Sequence, residues 1–171
     1  MEPFNARRIT RIGVVAALYV ALTLSLSFLS YGDIQFRIAE ALMLLCFFNK
    51  DYIFALTIGC FIANMISPMK WDLLVGTSAT LIAAIPMYLL RKEGSTPRMM
   101  ICSLFPVLTN GFIVAAELKL AFEAPYWLSV GTVALGEFVC VSILGVIVFS
   151  QLQKNPNSMK MISDNKKAAV T

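Results

Sequence analysis

The chain has 171 residues, of which 58% are hydrophobic and only 14% charged, and its formal net charge is +4. A soluble domain averages about 45–50% apolar and about 25% charged residues. The excess runs in the direction a bilayer requires and leaves no length for a second, water-soluble domain. There is no histidine, which excludes Ser–His and Cys–His catalysis and histidine metal centres.

Six uncharged or nearly uncharged runs follow one another. The first, Ile12 to Ser30, is preceded by Arg7, Arg8 and Arg11. Such a basic flank also marks signal peptides, but this run is long for one and further runs follow, so an uncleaved span is expected. The second, Ile38 to Phe48, is short and begins with Arg37 and Glu40. It crosses only if protein shields that charged turn. The third runs from Tyr52 to Ser67 and stops at Pro68. The fourth covers Leu73 to Leu90, with Pro86 near its end, and the fifth Met99 to about Leu118, with Pro106 inside. The sixth runs from Tyr126 to Phe149, and a polar tail that is expected to fray begins at Gln151.

A span needs about 20 mostly apolar residues, so six use roughly 120. Spans must satisfy their own backbone hydrogen bonds, and these runs are continuously apolar rather than alternating, which favours helices over a barrel. The expected fold is an all-α integral membrane protein, a compact bundle of six transmembrane helices over residues 1–150 with a polar tail over 151–171. With the N-terminus inside, cytoplasmic segments carry Arg7, Arg8, Arg11, Lys50, Arg91, Lys92, Arg98, Lys154, Lys160, Lys166 and Lys167, against Arg37, Lys70 and Lys119 outside. That bias predicts cytoplasmic N- and C-termini and makes the basic character a topology signal, not a nucleic-acid footprint.

Intramembrane polar residues are costly and are read as functional by default. Gln35, Arg37, Glu40, Asp72, Glu117 and Glu137 fall at outer helix ends or deeper, and Glu137 is the deepest, eleven residues into its run. Arg37 and Glu40, three apart, share a helix face, and a local ion pair accounts for them as well as ligand contact does. Asn110 shares a face with Glu117, and an interhelical hydrogen bond accounts for it equally. Asn64 precedes the Ser67-Pro68 stop by one turn and reads as a backbone cap or a ligand group. Asp72 reads first as the N-cap of the fourth helix. Tyr31, Phe36, Trp71, Tyr126 and Trp127 read as an interfacial belt, with one or two of them available to stack on a planar ligand. Gly13, Ala17, Ala21 and Ser25 form a small-residue ladder suited to close helix approach, either inside the bundle or on another membrane protein. Cys46, Cys60, Cys102 and Cys140 lie singly in apolar runs and read as buried hydrophobes. No metal set, P-loop or nucleophile elbow is present, so no catalytic residue is assigned.

Several strings together resemble the QueT family of queuosine-precursor transporters. They are Ala16-Ala-Leu-Tyr-Val-Ala-Leu-Thr23, Tyr31-Gly-Asp-Ile-Gln-Phe-Arg-Ile-Ala-Glu-Ala-Leu42 and Ile58-Gly-Cys-Phe-Ile-Ala-Asn-Met-Ile-Ser-Pro68. Asp72 with Gly76-Thr77 and Ala79-Thr80, the stretch Asn110 to Glu117, Trp127-Leu-Ser129 and Gly136-Glu137 continue the pattern in order over about residues 8–150. The resemblance implies a substrate-binding S component of an energy-coupling factor (ECF) importer in the cell membrane. It would capture a 7-deazaguanine base from outside and work with a transmembrane coupling protein and two ATPase subunits. ATP would then be hydrolysed on those partners, with no cofactor in this chain. It also implies docking on the coupling protein through Gly13, Ala17 and Ala21. The candidate ligand set is Gln35, Arg37, Glu40, Asn64, Trp71, Asp72, Asn110, Glu117 and Glu137, and loops 30–36 and 67–71, the outer loops nearest these residues and each carrying an aromatic, are expected to act as a lid. Lys119 departs from the family pattern and leaves the charge near Glu117 open. The competing reading is a stand-alone proton-coupled permease with Glu117 or Glu137 as proton carrier.

Overall fold

The computed structural model describes residues 6–27, 36–67 and 69–163, and these are helical, with short connections. In chain order they form α1 (Ala6–Ser25), a 3₁₀ helix (Ile38–Phe47), α2 (Asp51–Asn64), α3 (Asp72–Leu89) and α4 (Thr96–Phe122). A continuous rod follows, in which α5 (Tyr126–Glu137) passes through a π-helical stretch (Phe138–Gly145) into α6 (Val146–Gln153), and a short α7 (Pro156–Ile162) ends the described chain. The short connections make sequential neighbours antiparallel.

Local chemistry sets several of the boundaries. Ser95 caps α4, its hydroxyl accepting from the Arg98 amide at 3.4 Å, and a proline stands in the helix's first turn, where its missing N–H costs nothing. The same helix stops at Glu123, whose φ of 54° is left-handed, and Pro125 then blocks continuation. Asn155 caps α7 in the same manner, with Pro156 following it. The tail is therefore helical through Ile162 rather than frayed, and Met159 is buried against the core.

Among the described residues four helices are long and apolar enough to cross a membrane: α1, α3, α4 and the rod Tyr126–Gln153. The 3₁₀ helix and α2 are apolar but shorter. Every long helix turns large apolar side chains outward, among them Val14, Leu18, Ile82, Leu108 and Ile147. A water-soluble monomer does not expose apolar surface on that scale.

The 3₁₀ helix is the centre of the bundle. Met43, Leu44, Cys46 and Phe47 are fully buried, and the other helices pack around them. Runs of 3₁₀ structure beyond three or four residues are uncommon. This one persists because neighbours enclose it nearly all round. Arg37 and Glu40 at its start are buried too, so protein does shield the charged turn.

Lipid tails are as apolar as leucine, so association rests on close packing and interhelical polar contacts. Both are visible where α1 meets α2. A Cβ added at Gly59 would lie 3.0 Å from the Ala16 carbonyl oxygen and 3.0 Å from the Tyr19 Cβ, so a larger residue there would push the two helices apart. At the end holding the α1 N-terminus, Asp51 accepts from Arg8 at 2.5 and 2.8 Å and from Arg11 at 3.1 Å. The same end gathers the α3–α4 turn and the end of the rod, where the Gly94 amide donates to Gln153 at 3.0 Å. The four cysteines are free and buried, as their placement in apolar runs predicts.

Candidate functional site

At the opposite end the antiparallel order brings together the start of the 3₁₀ helix, the C-terminus of α2, the N-terminus of α3, the C-terminal half of α4 and the middle of the rod. Five charged side chains from these elements are buried: Arg37, Glu40, Asp72, Glu117 and Glu137. They lie within electrostatic reach of one another, Glu40 with Arg37 and Asp72, Glu117 with Asp72 and Arg37, and Glu137 with Glu40 and Arg37.

Three of the four carboxylates are held by one oxygen. Arg37 donates to Asp72 Oδ2 at 2.6 Å. The Tyr19 hydroxyl donates to Glu40 Oε1 in a short hydrogen bond. Asn110 donates to Glu137 Oε1 at 2.7 Å. The second oxygen of each, and both oxygens of Glu117, are buried without a hydrogen-bond partner among the described residues. Buried polar atoms are nearly always bonded, so five open acceptor atoms clustered in this state set this end of the bundle apart.

The expected local pair between Arg37 and Glu40 gives way to longer reaches, since Arg37 bonds α3 and Glu40 bonds α1. Asp72 is not a helix cap. Trp71 holds the N-cap position without a side-chain bond, and Asp72 is the first helical residue, turned inward to Arg37. Asn64 spans two helices, donating to the Asp72 carbonyl at 2.9 Å and lying 3.4 Å from the Cys60 sulfur. Gly76 makes room for this arrangement, because a Cβ there would come within 2.9 Å of the Asn64 amide nitrogen. Asn110 makes the interhelical bond expected of it, and its partner is the deepest carboxylate. Trp71 is 67% exposed and stands outside the buried cluster, as does Trp127, which stacks edge-on with Tyr126 at 5.2 Å. Gln35 and most of the first proposed lid loop, residues 30–35, lie outside the described residues.

Tyr19 is the residue that sequence reasoning missed. It lies in an Ala-Leu-Tyr-Val run and looks apolar. The available signal is its position on α1, two residues from Ala17 and therefore on a different face from the ladder. That ladder is exposed: Gly13, Ala17, Ala21 and Ser25 all face outward, and a Cβ at Gly13 would meet nothing within 4 Å. It is not packing inside this bundle. The inner face of α1 is formed instead by Ala16, Tyr19 and Thr23. Among the described residues no group of three or more Cys, Asp or Glu side chains is arranged to hold a metal ion.

The model of the QueT transporter family matches residues 9–154. The chain is also 40% identical to the queuosine precursor transporter QueT of Lactococcus lactis subsp. cremoris (strain MG1363) over 164 residues, covering 90% of this chain and 96% of the relative. No solved structure matches. A family match across nearly all of the bundle, together with the relative's near-complete coverage, shows that this chain belongs to the QueT transporter family.

Proposed function

We propose that the chain is the substrate-binding membrane subunit of an ATP-driven ECF importer, capturing a 7-deazaguanine precursor of queuosine from outside the cell. The observation that carries this reading is the buried cluster of carboxylates whose remaining oxygens lack donors. A guanine-like edge offers paired N–H donors, which a carboxylate accepts side by side. Glu137, bonded by Asn110, and Glu40, bonded by Tyr19, each keep one oxygen open and are the candidates for that task in this reading. Asp72 and Arg37 supply an acceptor and a donor beside them, Asn64 braces Asp72, and Glu117 lies further out. Trp71 belongs to the entrance in this reading.

Six crossings with cytoplasmic termini fit the geometry. At about 2.0 Å per residue the ten-residue 3₁₀ helix spans about 20 Å, and at 1.5 Å per residue α2 spans about 21 Å. Both are shorter than a hydrocarbon core of about 30 Å; the 3₁₀ helix is enclosed by its neighbours, whereas α2 exposes Phe54, Ile58 and Phe61. The basic segments then lie inside, and the acceptor cluster opens outward.

The outward-facing ladder supports docking on a transmembrane coupling protein, which brings two ATPase subunits. Small residues at Gly13, Ala17 and Ala21 allow backbone-close contact. Replacing Ala17 and Ala21 with tryptophan should abolish uptake and co-purification of the partners while ligand affinity stays nearly unchanged. Uptake that survives ATP depletion and collapses with a protonophore would instead establish a stand-alone permease.

A further inference from the structure

We propose that Glu117 selects for ligands that carry a positive charge at the end remote from the Asn110–Glu137 pair. This deepens, and rests on, the reading of the cluster as the precursor site.

Glu117 differs from the other carboxylates of the cluster. Glu40, Asp72 and Glu137 are each fixed by a hydrogen bond and present one oriented acceptor. Glu117 has neither oxygen bonded among the described residues, yet it is only 4% exposed. It lies two turns beyond Asn110 on the same face of α4, about 10 Å along the axis. The site therefore has two levels, a deep one with directional acceptors and an outer one with an unfixed carboxylate.

Among the described residues no cation bonds to Glu117. Arg37 is within electrostatic reach of Glu117, but it is engaged at 2.6 Å with Asp72. Lys119 is exposed, and a residue two positions along a helix does not share its face. A buried carboxylate without donors is costly, and a ligand that brings both charge and N–H donors offsets that cost. An unfixed carboxylate gives little direction, so it reads charge rather than the plane of a ring edge. An ammonium group, with three donors and no plane, is the matching chemistry.

The test compares two ligands of nearly equal shape, 7-aminomethyl-7-deazaguanine and its neutral 7-hydroxymethyl counterpart. Binding to the purified full chain in nanodiscs is measured by calorimetry. The intact protein should prefer the aminomethyl ligand by about 10- to 100-fold, the worth of a hydrogen bond to a charged group. Glu117→Gln should remove that preference by weakening the aminomethyl ligand alone, and retained binding of the neutral ligand shows that the variant is folded. Glu137→Gln should weaken both ligands by a similar factor and keep the preference. Equal binding of the two ligands by the intact protein overturns the proposal without any variant. So does a preference that survives Glu117→Gln or disappears in Glu137→Gln. Failure of the intact protein to bind either ligand would instead overturn the reading of the cluster as a deazaguanine site.

Discussion

The two ends of the bundle treat buried acids in opposite ways. At the basic end Asp51 is buried and fully engaged, with Arg8 on both oxygens and Arg11 on one. At the other end Glu40, Asp72 and Glu137 are each half engaged and Glu117 is not engaged at all. The residue type is the same and the burial is similar, but one end closes its hydrogen bonds within the chain and the other leaves acceptors open. A closed acid staples helices. An open one is unfavourable until a donor reaches it.

Three substitutions probe this contrast through thermal stability of the unliganded protein. The largest loss should come from Arg37→Met, which leaves Asp72 buried without its cation. Breaking a buried pair on one side costs about 3–5 kcal/mol, read as a markedly lower melting temperature. A small change there would show that Asp72 draws its support from elsewhere. Asp51→Asn should cost about 1–3 kcal/mol, the worth of hydrogen bonds to a charged group, and should leave ligand affinity intact. A loss of affinity in this variant would break the division between the two ends. The smallest effect should carry the opposite sign. Glu117→Gln removes an open charge and should stabilise the unliganded chain by about 1 kcal/mol, in the range of substitutions that relieve functional strain. A fall in melting temperature would mean that the carboxylate is held by contacts within the protein.

Much of this was legible in the sequence. The runs of apolar residues, the gathering of acids at one level, the depth of Glu137 and the small-residue ladder follow from spacing alone, but the outward direction of the ladder does not, since the same spacing suits packing inside the bundle. Partner choice was not legible. Arg37 and Glu40 are three apart, yet they bond Asp72 and Tyr19, residues 35 and 21 positions away, because tertiary geometry, not spacing, decides between near and far partners. Asp72 carries the residue type of a helix cap, and only the position of Arg37 turns it inward. The 3₁₀ and π-helical stretches were equally hidden, since an apolar run gives no sign of how tightly it winds.

The winding of the central 3₁₀ helix has its own consequence. With three residues per turn, side chains three apart stack in a column, so Glu40, Met43 and Cys46 fall in line below Arg37. Losing or gaining one residue would swing everything beyond it by a third of a circle, carrying Glu40 out of line with the core beneath it. A change of three would restore the column but shift the chain by about 6 Å. The segment should therefore accept changes of side chain far more readily than changes of length, and a deletion scan through residues 38–47 should find almost no single-residue gap that still yields a folded transporter.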